Sequence, residues 1–434
     1  MLLIEDATLA DGRVRDVCVD REAGRIDAVD RDLSGSETVN ATGKRLLPGM
    51  IDAHVHFREP GFPHKETWAT GSRSAAAGGV TTVFDQPNTD PPTVTGEAVG
   101  EKARLAADSL VEFGINGGVT PDWDPDSLLS APVAALGEVF LADSTGDMGI
   151  ETDLFRAAVE RADEAGVTVT VHAEDADLFE ESARAEAGDG RGREADADAW
   201  SAYRTAAAEA GAVERACAVA GEVGARVHIA HTSTPEGIDA ANGAGMTCEV
   251  TPHHLFLSRA DLGDLGTLGR MNPPLRSEER REAVERRVRD GRVDLIATDH
   301  APHTRAEKEA PILEAPSGVP GVETALPLLL NEAREGRLGY ECVRDLTAAN
   351  PAAVFGLPRK GRVEAGADAD LALFDPDDTR EIQGRDLHSK CGWTPFEGWT
   401  GVFPELTLVR GQAVYDRRDG EESFGDAIGA NVAV

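Results

Sequence analysis

The sequence has few aromatic residues, few lysines and no long apolar run. Of its 434 residues 5% are aromatic and six are Lys, and the absence of an extended apolar stretch argues against a membrane span. The opening MLLIEDATLA carries two acids and no basic residue, so we expect no signal peptide. Five cysteines are scattered without a CxxC pair, which is typical of a reducing cytoplasm.

Negative charge predominates along the whole chain. In all, 78 Asp and Glu oppose 43 Lys and Arg, of which 37 are Arg, for a formal net charge of −35 at pH 7. Such a surface repels phosphate backbones, so we expect no nucleic-acid partner. The spread of acids indicates a halophilic protein, because in molar salt the Debye length falls to about 3 Å and self-repulsion is screened. An ordinary acidic protein is the alternative.

Short β-rich apolar runs alternate with helical stretches through the middle of the chain. The stretches 152–165, 206–223 and 278–290 each have a Gly close behind, as helix ends often do. This alternation predicts an α/β fold, a (β/α)8 barrel of the TIM type, with a doubly wound open sheet as the alternative. The eight runs are 50–55, 80–85, 111–116, 137–142, 167–172, 226–231, 247–251 and 293–298.

Both ends of the chain are rich in short strand-like pieces broken by Gly and Asp. Unpaired strands at either end would leave exposed sheet edges. We therefore predict one small β domain formed from both termini, residues 1–48 and 361–434, beside a barrel at 49–360. The polar, Gly-rich stretch 186–198 is predicted to be an exposed loop.

Reactive side chains stand at the ends of predicted strands, where the active sites of such barrels gather. His54 and His56 lie two apart and hence on one face of the first strand, His172 and His231 end the fifth and sixth, and Asp299 follows the eighth. A single His at a strand end is usually a structural residue. Four of them with an Asp form a ligand set suited to Zn²⁺ and related ions, so the pattern predicts a metal site.

Six short segments surround these candidate ligands. They are 52–61 (DAHVHFREPG), 86–89 (QPNT), 171–175 (VHAED), 230–233 (AHTS), 272–276 (NPPLR) and 298–303 (TDHAPH). Together they resemble the signatures of the dihydroorotase family, in the cyclic amidohydrolase group, over about residues 48–360. The resemblance implies a barrel with a composite β domain. It also implies a cytoplasmic enzyme that reversibly cyclises N-carbamoyl-L-aspartate to dihydroorotate, with loss of water, in pyrimidine synthesis.

The resemblance also implies roles for the candidate ligands. His54, His56 and Asp299 would hold one Zn²⁺, and His172 and His231 a second, with an activated hydroxide between the ions. Asp299 would act as general base and then general acid, taking a proton and passing it to the leaving nitrogen. A site with a single Zn²⁺ is the alternative.

The fourth predicted strand departs from the family pattern. Many members carry a carbamylated Lys there that bridges two metals, whereas this chain has Glu138. A buried Glu without a partner is costly, so we predict that Glu138 is the bridging ligand, although it is shorter than carbamylated Lys. Asp143 is the alternative bridge, and a Glu138 paired with Arg beside a single metal is a further interpretation.

A substrate carboxylate requires a cation in the site. Arg58 lies two residues after His56 and offers a planar guanidinium that binds a carboxylate bidentately. The resemblance adds Asn88, Asn272 and His303 as contacts to the carboxylate and the ring amides. The structural alternatives are an Arg58 paired with a nearby Glu and an Asn88 that caps a turn.

Other functions remain as hypotheses. Allantoinases and hydantoinases or dihydropyrimidinases share the metal centre but act on rings without this carboxylate, so Arg58 discriminates between them. A non-catalytic relative acting as a scaffold would have lost ligands, whereas all five are present. We expect a small-molecule substrate, and we leave open a homodimer and an association with aspartate carbamoyltransferase.

Overall fold

A computed structural model describes residues 1–142, 148–186 and 193–433, with residues 193–196 described by their backbone only. The strands in these ranges are β1 (Leu2–Thr8), β2 (Val14–Asp20), β3 (Arg25–Asp30), β4 (Glu37–Asn40), β5 (Arg45–Pro48), β6 (Met50–Val55), β7 (Val80–Asp85), β8 (Glu112–Gly117), β9 (Ala135–Phe140), β10 (Thr168–His172), β11 (Val227–Ile229), β12 (Thr247–Val250), β13 (Leu295–Ile296), β14 (Leu371–Phe374), β15 (Thr379–Glu381), β16 (Thr400–Val402), β17 (Leu406–Val409), β18 (Gln412–Asp416) and β19 (Ser423–Phe424).

The α-helices in the same ranges are α1 (Trp68–Ala77), α2 (Gly96–Leu105), α3 (Pro125–Leu129), α4 (Thr152–Ala165), α5 (Glu181–Glu186), α6 (Arg193–Tyr203), α7 (Ala206–Val223), α8 (Pro235–Gly243), α9 (Pro252–Phe256), α10 (Leu262–Leu265), α11 (Glu278–Arg289), α12 (Arg305–Lys308), α13 (Ala325–Arg334), α14 (Tyr340–Arg344) and α15 (Asn350–Val354). Among the described residues, no helix is both long enough and apolar enough to cross a membrane.

Strands β6 to β13 form a parallel barrel in chain order. The first and last strands meet through backbone hydrogen bonds: the His56 N–H donates to the His300 carbonyl at 2.8 Å, and the His300 N–H donates to the His54 carbonyl at 3.3 Å. The predicted TIM-type barrel is therefore confirmed, and the alternative of an open doubly wound sheet is wrong. Each predicted run overlaps one barrel strand, because these strands are buried on both faces and read as apolar runs.

A second sheet combines strands from both ends of the chain. Its order is β19-β18-β17-β14-β5-β1-β2-β3, with β4 beside β1. The two halves join where β5 pairs antiparallel with β14, with Leu371 opposite Pro48 and Phe374 opposite Arg45. The expected β domain made from both termini is confirmed, and it packs its own apolar cluster apart from the barrel core.

A buried lysine links this sheet to the base of the barrel. The Lys360 ammonium forms salt bridges with Glu112, the first residue of β8, and with Asp370, which precedes β14. Burial opposes the charge of Lys360, but the two carboxylates outweigh it and raise its pKa above the usual range. Asp368 lies 3.5 Å from the same ammonium. The acids of this cluster could hold a metal by their spacing, but the Lys360 ammonium already forms ion pairs with all three.

The predicted exposed loop at 186–198 is wrong at Glu186, which ends α5, and again from Arg193 onward. Residues 187–192 lie outside the described residues, but Arg193 begins α6. The prediction gave too much weight to the glycines of this stretch. The Ala and Glu residues that follow them have high helix propensity. Trp200 and Tyr203 on α6 are 7% and 8% exposed, so packing of these aromatic side chains fixes the helix.

Candidate active site

The six candidate ligands in the described residues converge at the carboxyl end of the barrel. His54 lies in β6 and His56 directly after it, Glu138 lies in β9, and His172 ends β10. His231 and Asp299 follow β11 and β13 by two and three residues. None of the six is more than 7% exposed. The fold therefore buries all of them at one place.

The first group of ligands surrounds one oxygen of Asp299. His56 Nε2 lies 3.0 Å and His54 Nε2 3.6 Å from Asp299 Oδ1. Potential ligand atoms of these three residues all lie within 4.8 Å of one another. Two imidazole nitrogens and a carboxylate at this spacing can hold one divalent ion.

The second group is formed by His172, His231 and Glu138. His172 Nδ1 and His231 Nε2 lie 2.9 Å apart, and they lie 2.7 and 2.6 Å from Glu138 Oε1. The other carboxylate oxygen, Oε2, lies 3.2 Å from His54 Nε2 and 3.8 Å from His56 Nε2. Glu138 thus presents one oxygen to each group. Asp143, the alternative bridge, lies outside the described residues.

The outward-facing nitrogens of three imidazoles are held by acceptors. Each acceptor places the ring proton on the outer nitrogen and leaves the lone pair of the inner nitrogen for a cation. This proton arrangement fits a metal site. The three pairs are His54 Nδ1 with Glu249 Oε1 at 2.7 Å, His56 Nδ1 with Asn88 Oδ1 at 2.7 Å, and His172 Nε2 with Glu174 Oε2 at 2.9 Å.

The electrostatic environment of His54 and His172 favours positive charge. Burial disfavours the charged form of His54, but the charges of Glu138 and Glu249 outweigh it and raise the pKa of His54 well above its usual range. Burial likewise opposes the charge of His172, while hydrogen bonds to Glu138 and Glu174 raise its pKa to about 9. A divalent cation bound here would take the place of these ring protons.

Sequence reasoning missed the carboxylates that support the ligands. Glu249 lies in β12, where its side chain also accepts from His228 Nε2 at 3.0 Å and from the His231 N–H at 3.1 Å. Glu174 forms a buried salt bridge with Arg204 at 2.5 Å. A charged residue inside an apolar strand run was the available signal for Glu249, since a buried Glu needs partners.

The predicted substrate contacts lie beside the ligands. Arg58, Asn88 and Asn272 line one cleft together with His56 and Asp299. His303 lies behind Arg58, with its Nε2 at 3.0 Å from Arg58 Nη2. Asn272 is held by Trp200 of α6, whose indole N–H donates to Asn272 Oδ1 at 3.2 Å.

Backbone strain is concentrated around this cleft. Among the described residues, six that are not glycine have positive φ, and three of them are Arg58 (66°), His231 (32°) and Asp299 (45°). Such conformations are costly for residues with a Cβ and cluster at functional sites. The strain directs three of the predicted site residues toward the same space.

Comparison with known proteins assigns the family. Residues 45–414 match the model of the amidohydrolase family. A dihydroorotase from Halobacterium salinarum is 68% identical over 418 residues, covering 96% of this chain and 97% of that protein. A dihydroorotase from Methanosarcina acetivorans is 43% identical over 412 residues, covering 91% and 87%.

Solved structures of hydantoinases share the fold. An L-hydantoinase (dihydropyrimidinase) from Arthrobacter aurescens superposes with a TM-score of 0.92 at 28% identity, covering 99% of both chains. A D-hydantoinase from Thermus sp. gives a TM-score of 0.88 at 25% identity, covering 100% of this chain and 99% of that one. The sequence relatives are much more similar than these structures, so the chain belongs to the amidohydrolase family and, within it, to the dihydroorotases.

Proposed function

We propose that this chain catalyses the reversible cyclisation of N-carbamoyl-L-aspartate to (S)-dihydroorotate and water in pyrimidine synthesis. The observation that carries the proposal is the convergence of four imidazoles and two carboxylates on one rim beside the Arg58 guanidinium. The 68% identity to a dihydroorotase from Halobacterium salinarum supports it. The organism of that relative and the net charge of −35 also support a high-salt cytoplasm as the environment in which this chain works.

The proposed cofactor is a pair of Zn²⁺ ions. His54, His56 and Asp299 would hold one ion and His172 and His231 the other, with Glu138 contacting both because its two oxygens face the two groups. When bound, such ions polarise an amide carbonyl and lower the pKa of water enough to supply a nucleophile at neutral pH.

The proton transfer is assigned to Asp299. Its carboxylate borders the cleft in which the ring amide must lie, and one of its oxygens, Oδ1, lies 3.0 Å from His56 Nε2, where the first ion would bind. In ring opening the other oxygen accepts the proton of the nucleophile and delivers it to the amide nitrogen that leaves. Ring closure reverses both transfers, so one carboxylate serves as base and acid.

The substrate contacts follow from the groups that line the cleft. Arg58 would bind the carboxylate of dihydroorotate, and His303 lies within reach of the same corner. Asn88 and Asn272 have amide groups that suit the ring amides. The Asn88 oxygen already accepts from His56, so its NH₂ group is the part left to donate to substrate.

Metal analysis and turnover test the proposal together. The protein, purified in molar KCl, is expected to contain two Zn²⁺ per chain and to open dihydroorotate in an absorbance assay of the ring amide. Removal of metal by a chelator should abolish turnover, and Zn²⁺ should restore it. Metal-loaded protein without turnover would reject the proposal and favour a scaffold role.

Arg58→Ala separates this function from hydantoin or allantoin hydrolysis. Loss of a charge-assisted bidentate contact costs about 1.5–3 kcal/mol, so KM for dihydroorotate should rise by roughly tenfold or more, with the zinc content unchanged. Hydantoin and allantoin serve as comparison substrates for the unaltered protein. An unchanged KM for dihydroorotate, or faster turnover of either neutral ring, would contradict the assignment.

A further inference from the structure

The loop after β6 brings Lys65 to the side of His303 that faces away from Arg58. Lys65 Nζ lies 3.0 Å from His303 Nδ1 and 3.2 Å from Glu307 Oε1. The other ring nitrogen, Nε2, lies 3.0 Å from the Ser317 carbonyl oxygen and 3.0 Å from Arg58 Nη2. The two nitrogens of one imidazole therefore contact two cations and one carbonyl.

These contacts decide which nitrogen of His303 carries the proton. Burial is the main reason that the pKa of His303 lies well below its usual range, and the charges of Arg58 and Lys65 add to it, so the ring is neutral. An ammonium only donates and a carbonyl only accepts. Lys65 therefore requires a lone pair on Nδ1, and Ser317 requires a proton on Nε2. One tautomer, Nε2–H, satisfies both.

Arg58 favours the opposite tautomer. Its guanidinium only donates, so its approach to Nε2 would suit a lone pair there. With Lys65 present, the contacts of Lys65 and Ser317 favour Nε2–H and the contact of Arg58 opposes it. Without Lys65, only Ser317 favours Nε2–H, against Arg58. Lys65 thus decides the tautomer. The result is that Nε2–H donates to the Ser317 carbonyl and Nε2 offers no lone pair to Arg58 Nη2, which lies 3.0 Å away, so this guanidinium N–H remains for an anion in the cleft.

We infer that Lys65 is a positioning residue for the substrate carboxylate: it fixes His303 as the Nε2–H tautomer, so that His303 does not accept from Arg58 and the guanidinium donates to the substrate carboxylate instead. Arg58 and Ser317 line the cleft that contains Asp299, which places the Arg58 guanidinium next to the reacting amide. The inference rests on the proposed function, because the carboxylate is the group that dihydroorotate has and hydantoin lacks.

Kinetics of Lys65→Met test the role in binding. The Lys65 side chain is 13% exposed, so the similarly long Met side chain can take its place. We expect KM for dihydroorotate to rise about tenfold, with kcat within about threefold and zinc content unchanged, because Lys65 acts on carboxylate binding rather than on the reacting bond. Lys390→Met is the matched control, because Lys390 is exposed and its Nζ donates at 2.5 Å to the carbonyl of Pro63, which lies in the loop that carries Lys65. This control variant should leave KM unchanged.

Ring-nitrogen NMR tests the tautomer directly. In protein labelled with ¹⁵N-histidine, the His303 signals are assigned by their loss in His303→Gln. The unaltered protein should carry the proton on Nε2, Lys65→Met should populate Nδ1–H, and Lys65→Arg should restore Nε2–H and recover part of KM. An unchanged tautomer or an unchanged KM in Lys65→Met overturns the inference. Failure of the unaltered protein to turn over dihydroorotate rejects the proposed function instead.

Discussion

Glu249→Gln should weaken metal binding while leaving the fold intact. Glu249 Oε1 accepts from His54 Nδ1 and from the His231 N–H, and Oε2 accepts from His228 Nε2. A glutamine can keep its oxygen toward His54 and direct its NH₂ toward His228. His228 can accommodate this by moving its proton to Nδ1, where Thr247 Oγ1 lies at 2.9 Å. The substitution therefore removes a negative charge without orphaning a donor.

The expected loss of metal affinity can be estimated because the glutamine variant retains this set of hydrogen bonds. Removing a carboxylate behind a metal ligand costs about 10–100-fold in metal affinity, which corresponds to about 1.4–2.7 kcal/mol. Glu249→Ala would instead leave three donors without an acceptor, at about 1–3 kcal/mol each. That sum approaches the whole stability of a typical domain, about 5–15 kcal/mol, so the alanine variant would report on folding rather than on the metal.

Competition with a chromophoric chelator measures the Zn²⁺ affinity, and circular dichroism checks the fold. Glu236→Gln is the matched control, because Glu236 is a half-exposed surface acid paired with Arg280 and should leave the affinity unchanged. If Glu249→Gln is folded and binds Zn²⁺ as tightly as the unaltered protein, then the negative charge of Glu249 does not strengthen metal binding by His54, and the reasoning from that charge is refuted.

Three further predictions concern stability and ligand identity. Lys360→Met removes the ammonium that Glu112 and Asp370 share, with Arg410 still 3.5 Å from Glu112, and should lower the free energy of unfolding by about 3–5 kcal/mol in urea titrations; a loss below about 1 kcal/mol would contradict the buried-pair reasoning. Lowering KCl from molar to 0.1 M lengthens the Debye length from about 3 to about 10 Å, so Tm should fall. If Tm changes with sucrose but not with KCl, that result argues against stabilisation by charge screening. Glu138→Ala should lose one of two Zn²⁺ while Asp143→Ala retains both, as measured by metal analysis; the reverse result would make Asp143 the bridge.

Much of the barrel and of the ligand set could be predicted from sequence because both depend on local pattern. A strand buried on both faces is an apolar run, and a side chain at its end lies on the functional rim wherever the barrel closes. The supporting partners could not be predicted in this way. Glu249 contacts His54, which lies 195 residues away, and such a pairing depends on the register of strands that only the closed barrel fixes.

The start of α6 shows a different limit. The glycine-rich sequence before this helix resembles a loop. The helix forms because Trp200 and Tyr203 pack into an apolar cluster. That packing reaches the cleft, since the indole of Trp200 holds Asn272. The helix whose start was predicted as part of an exposed loop thus carries, at Trp200, a residue that orients a predicted substrate contact.

The pairing of β5 with β14 has a consequence for synthesis on the ribosome. Residues 45–48 leave the ribosome more than 300 residues before residues 371–374, their sheet neighbours. At about 5–20 residues per second, the edge of β5 stays open for tens of seconds. The barrel strands emerge during that interval, so the two-ended sheet is completed last. A truncation that removes β14 would leave this edge permanently unpaired and prone to self-association.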